Sequence, residues 1–100
     1  MDLNELTYDN VLPHIGSTFR IDFPERSVEL QLTRVDRLRE KHTSKRLLRD
    51  SFALIFQGPD DVMLQQGTYP MQHAAIGAQS MFIVPIGKAE TGFEYEAIFT

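Results

Sequence analysis

No cysteine occurs among the 100 residues, which excludes disulfide staples, cysteine-based zinc sites and thiol catalysis together. Tryptophan is absent too, so seven Phe and three Tyr supply the bulky core material. Long apolar runs are missing: Met81 to Ile86, the longest, falls far short of the roughly 20 residues a membrane-spanning helix needs. There is no glycine-rich phosphate loop, no Gly-x-Ser-x-Gly elbow and no His-Glu-x-x-His spacing, so nucleotide, nucleophilic and zinc-hydrolytic chemistry find no support. Met1 to Asn10 has neither a basic nor an apolar block and does not read as a secretory signal. These absences predict a cytoplasmic, non-enzymatic protein with no membrane contact, no metal and no cofactor.

What is present describes a folded domain. A chain 42% hydrophobic and 24% charged has enough apolar surface to fold, and its length suits one core. Residues 1–100 are therefore expected to form a single β domain. From Ser51 onward, short β-prone segments alternate with Gly and Pro: Phe52 to Phe56, then Gly58-Pro59 and Asp60-Asp61 as a β-turn; Val62 and Leu64; Gly67 to Met71 after a bend at Gly67. Ala74 to Gly77 reads as a turn, Ser80 to Ile86 as the most buried strand, and Phe93 to Phe99 as the last strand. Phe52, Leu54 and Phe56 share one face while Ala53 and Ile55 share the other, which marks a central or covered strand.

The first half carries fewer signals. Thr7 suits a helix N-cap, Tyr8, Val11 and Leu12 follow at helical spacing, and Pro13 and Gly16 limit the helix to one or two turns between about 6 and 15. Tyr8, Leu12 and Ile15 are expected to pack on the sheet. Phe19, Ile21 and Phe23 alternate with Arg20 and Asp22, a strand with one wet face, and Pro24 to Ser27 turns the chain. Val28, Leu30 and Leu32 resume the alternation, but the next apolar residues, Val35 and Leu38, are out of phase. Either a bulge at Thr33 and Arg34 exchanges the two faces or the strand ends there. The sum is a mainly β fold, a small antiparallel barrel or sandwich of about six strands with a short N-terminal helix.

Phe52-x-Leu-x-Phe56-x-Gly-Pro59, Gln66-Gly67-x-Tyr69-x-x-x-His73, Gly77, Phe82-x-Val84-Pro85-x-Gly87 and Tyr95-x-Ala97-x-Phe99 together resemble a small bacterial domain family of unknown function. Its members recur beside phage-tail-collar and microcystin-dependent-type proteins. The resemblance implies a compact β domain with an N-terminal helical segment, and a role in or beside a phage-tail-like assembly. It covers chiefly the half of the chain from Phe52 and carries over no catalytic residue. Gly58, Pro59, Gly67, Tyr69, His73, Gly77, Pro85 and Gly87 are expected to serve the structure.

Candidates for chemistry are few. His14, His42 and His73 stand apart in sequence; His73, before a tight turn, is placed to hold a backbone carbonyl. Glu94 with Glu96 and Asp60 with Asp61 are carboxylate pairs whose plain reading is a wet strand face and a turn. The net charge of −4 conceals an asymmetry, because Arg34 to Arg49 holds seven of the ten basic residues against Asp36 and Glu40. Residues 37–49 are expected to form a basic hairpin loop, with room for a helical turn at Lys45 to Arg49. Arg37, Arg39, Lys41, Lys45, Arg46 and Arg49 could dock an acidic protein surface. No aromatic residue interleaves them, which disfavours nucleic acid.

The leading expectation is a structural or protein-interaction domain that binds a protein partner, with self-association a further option. It would use the basic loop and an exposed last strand. The alternative is a small-ligand-binding β-barrel, with Phe52, Phe56, Phe82, Tyr95 and Phe99 lining a cavity.

Overall fold

A computed structural model describes residues 6–38 and 51–99. Thr7 caps the helix α1 (Tyr8–Val11): its hydroxyl accepts from the Asn10 amide at 3.1 Å, and the Asn10 side chain accepts from the Thr7 amide at 2.8 Å. The helix passes into a 3-10 turn, Leu12–His14, as Pro13 requires. Six strands follow, β1 (Thr18–Asp22), β2 (Ser27–Leu38), β3 (Ser51–Gln57), β4 (Gly67–His73), β5 (Gly77–Ala89) and β6 (Gly92–Phe99). All pair antiparallel, in the order β1-β2-β3-β6-β5-β4, and Arg20 opposite Gln72 closes the barrel. No described helix is long and apolar enough to cross a membrane.

The phase slip in β2 is a bulge. Leu32 faces Phe56 and Arg34 faces Ile55, leaving Thr33 without a strand partner; its hydroxyl instead donates to the Ile55 carbonyl at 3.1 Å. The inserted residue turns Val35 back into the interior beside Leu30 and Leu32. A second irregularity lies in β5 between Pro85 and Gly87, and there Ile86 is exposed.

Side chains fill the barrel interior. Phe19, Leu30, Leu32, Leu54, Phe56, Ile83 and Tyr95 have no exposed surface. Phe19 meets Phe56 edge-on with ring centres 5.3 Å apart. The helix covers one end of the barrel: Val11 is fully buried, Tyr8 meets Phe52 edge-on, and Phe52 stacks on Phe99 at 5.1 Å.

Several expectations require correction. Ile15 is exposed rather than packed on the sheet; Val11 takes the buried position, because the 3-10 turn rotates the residues after Leu12 off the helical face. β1 ends at Asp22, and Phe23 lies beyond it, half-buried edge-on to Tyr69. Val62 to Gln66 is a loop and not a strand. The most buried strand is β3, buried from Phe52 to Phe56, whereas β5 alternates and leaves Phe82 exposed. β5 leaves its outer face uncovered, and only Met81 and Ile83 of that stretch are drawn fully inside. Nor is β6 an edge. It lies between β3 and β5, since closing the sheet places Tyr95 and Ala97 inside and gives the strand a neighbour on each side.

Candidate functional site

His73 is the one buried polar or charged residue among those described. It ends β4, and the three-residue connection to Gly77 at the head of β5 folds back over it. Nδ1 accepts from the amides of Ala75 and Ile76, each at 3.0 Å. With Nδ1 committed as acceptor, the ring proton must sit on Nε2, which lies 2.8 Å from the Ser17 hydroxyl. Ser17 in turn donates to the His14 carbonyl at 2.5 Å. His73 thus ties the β4–β5 turn to the segment after the helix, reaching a carbonyl through Ser17 rather than directly. Its ring also contacts Phe19 and His14, with centres 4.5 and 5.0 Å away.

Both ring nitrogens are consumed by structure, so His73 is not arranged as a metal ligand or general base. Burial, followed by the neighbouring His14, holds its pKa below the ordinary histidine value. The unfolded imidazole therefore takes up a proton more readily than the folded one. The resulting stabilisation is complete above about pH 6.5 and is lost as pH falls from there through the lower folded value. Urea titrations across that window should show the midpoint falling with acid, and His73→Asn should remove that component of the slope. An equal slope in both proteins would assign the loss elsewhere.

The other nominated residues that the structure describes do not gather around His73. Arg37 belongs to β2, opposite Phe52, so the basic connection begins after Leu38 and not at 37. Its guanidinium lies 4.1 Å from the centre of the Tyr8 ring, holding the helix against the barrel. Arg39, Lys41, Lys45, Arg46, Arg49 and His42 lie outside the described residues. Asp61 pairs with Arg26 at 3.2 Å on the surface. Gly58, Pro59, Asp60 and Asp61 form a bend, and its main-chain bond runs from the Gly58 amide to the Phe93 carbonyl at 2.8 Å. Among the described residues, no three of His, Asp or Glu gather closely enough to hold a metal ion.

Tyr95 does more than fill space. Its hydroxyl accepts the buried Leu64 amide at 2.9 Å, anchoring the loop before β4 beneath the barrel, and burial pushes its pKa above the ordinary tyrosine value. Tyr95→Phe should cost about 1–3 kcal/mol by orphaning that amide, measured as a shift of the urea midpoint at constant slope. No shift would show that Leu64 finds another acceptor.

Of the rings nominated to line a cavity, Phe52 stacks on Phe99, Phe56 packs against Phe19, Tyr95 is fully buried, and Phe82 is exposed. The described grooves are on the exterior. One, of about 370 Å³, is lined by Thr18, Arg20, Glu29, Gln72, His73 and Ala74. Its cation is already committed, since Arg20 grips Asp22 at 2.7 and 3.2 Å. With Ser27 donating to the same carboxylate, this holds the Asp22 pKa below the usual range.

A different surface emerges on the outside of β5 and β6. Phe82 and Ile98 are 52% and 54% exposed, large values for side chains of their type in a closed fold. They flank the point where the β5–β6 ladder stops, at Val84 opposite Glu96. Val84, Glu94 and Glu96 are half-buried on the same outer face. Sequence reasoning missed this surface because Phe82 sits inside the most apolar run of the chain.

Gly92 was missed as well. It opens β6 with its Cα against the Gly58 main chain, where a Cβ would fall inside the Gly58 carbonyl oxygen. No curated protein and no solved structure matches the chain. A family model does, over residues 6–99, so both the helix that covers the barrel and all six strands lie within one conserved unit: the chain belongs to the family described as a domain of unknown function, DUF6916.

Proposed function

We propose that this barrel is a non-enzymatic protein-interaction domain whose contact surface is the exterior of β5 and β6. The observation that supports it is the exposure of Phe82 and Ile98, each more than half exposed, with Ile86 further along β5 at 47%, on a fold that buries most of its other bulky strand residues. Main-chain groups are largely used up in the closed ladder, and among the described residues His73, Asp61 and Arg37 are committed to structure. Binding through exposed side chains is what such a surface offers. The finer reading, a structural role beside a phage-tail-like assembly, rests on the sequence resemblance alone.

The test is a photo-crosslinking amino acid at position 82, with the full chain expressed in its source cells. Recovery of a discrete protein adduct, absent when the same group replaces the exposed Glu29 of β2 across the barrel, is expected. If position 82 yields no adduct beyond the Glu29 control, the interaction role fails.

A further inference from the structure

Among the side chains on the outer face of β5 and β6, the charged ones at its centre are acidic. Glu94 and Glu96 alternate along β6 with Tyr95 and Ala97, which point inward, so both glutamates share the outer face with Ile98, Glu96 opposite Val84 and Glu94 opposite Gly87. Both are half-buried, and neither has an ion pair among the described residues. Covering Phe82, Val84 and Ile98 therefore also takes water from two carboxylates. A neutral or acidic partner would leave them unpaired, at a cost that offsets the apolar gain. A second copy docked face to face would set glutamate against glutamate.

We infer that this face binds an extended protein segment in which two Lys or Arg residues and an aliphatic residue follow one another at every second position. This rests on the interaction role and names the chemistry of the partner. Side chains on one face of a strand recur at every second position, as Glu94, Glu96 and Ile98 do along β6. A partner with the same period sets a cation against each glutamate and its aliphatic group against Ile98 and Phe82.

The experiment uses fluorescence anisotropy with the full chain and two labelled probes, a peptide with Lys, Lys and Val at every second position and Ser between them, and its counterpart with Glu in place of Lys. The Lys peptide should bind at least about tenfold more tightly, and raising salt from about 50 to about 300 mM should weaken it. The double substitution Glu94→Gln and Glu96→Gln should lower its affinity about tenfold, a loss expected for unpaired charges at an interface. Phe82→Ser with Ile98→Ser should abolish binding. All four positions are on the exterior, and unchanged urea midpoints would confirm that the variants fold.

Equal binding of the two peptides, or no binding of the Lys peptide, would overturn the inference. So would concentration-dependent self-association abolished by Phe82→Ser, which would make a second copy the occupant. Tighter peptide binding after Lys45, Arg46 and Arg49 are changed to Ser would also overturn it, by showing that the chain's own basic stretch competes for the face. An adduct at position 82 combined with indifference to peptide charge would sink only the partner chemistry. Loss of the adduct would sink the interaction role itself.

Discussion

Gly92→Ala is expected to cost about 3 kcal/mol or more, the upper end of what overpacking does to a core, and to lower the urea midpoint accordingly. The new methyl group would overlap the Gly58 carbonyl oxygen and lie 3.3 Å from the carbonyl carbon of Pro59. Backbone must give way, because no flexible side chain stands between. Gly58 has little room to retreat: a Cβ built on it already lies 2.7 Å from Leu30 Cδ2 and 3.2 Å from the Tyr95 ring. Its amide is also held by the Phe93 carbonyl. Displacing Gly58 thus strains the end of β3, the start of β6 and the core together. Gly58→Ala should cost less, since its nearest obstacle is the mobile end of a leucine. Gly16→Ala meets no atom within 4 Å, and only its φ of 98° resists the change, so it should cost about 1–2 kcal/mol. A Gly92→Ala protein as stable as the Gly16→Ala control would mean that β3 and β6 can part without disturbing the barrel.

The second large effect is expected at His73→Ala, about 2–4 kcal/mol from a lost buried ring and lost hydrogen bonds. The substitution leaves the Ala75 and Ile76 amides without their acceptor, removes the Nε2 partner of Ser17 and opens space beside Phe19. His73→Asn separates these contributions. Its side-chain carbonyl can accept from amides just beyond it, as Asn does in turns, but it cannot reach Ser17 or cover Phe19. An intermediate midpoint is expected for Asn. If Asn and Ala are equally damaging, the turn's amides contribute little and the ring's contacts with Ser17 and Phe19 dominate. Hydrogen exchange of Ala75 and Ile76 gives a local readout, since both should exchange faster in His73→Ala than in His73→Asn.

These two positions also show what a linear reading reaches. Thr7 as N-cap, the alternation of Phe19 with Ile21, the phase slip at Thr33 and the doubly apolar β3 are all legible, because each is written in neighbouring residues and governed by local geometry; that the slip is a bulge and not a strand end comes from the pairing with β3. Residue identity at His73 and Gly77 marked a turn, and Gly77 does adopt a φ of 91° there. The bond from His73 through Ser17 was not legible, since 56 positions separate the two. Nothing beside Gly92 in the sequence marks it; its necessity comes from Gly58, which the register of β3 with β6 brings alongside. Phe82 was assigned to the interior from the company it keeps in sequence. The barrel turns that strand so that its two neighbours are inside and it is out.

By itself, the sequence determined that this chain is one antiparallel β domain without thiol chemistry, begun by a capped helical turn, with most of its inward-facing residues identified. Only the tertiary structure decided that the sheet closes through β1 and β4, that β6 lies between β3 and β5, and that an acidic apolar face is left on the outside. Alternation is a property of a single strand and can be read along it. Closure and the sharing of outer faces depend on the register between strands far apart in the chain, which no short run of residues specifies.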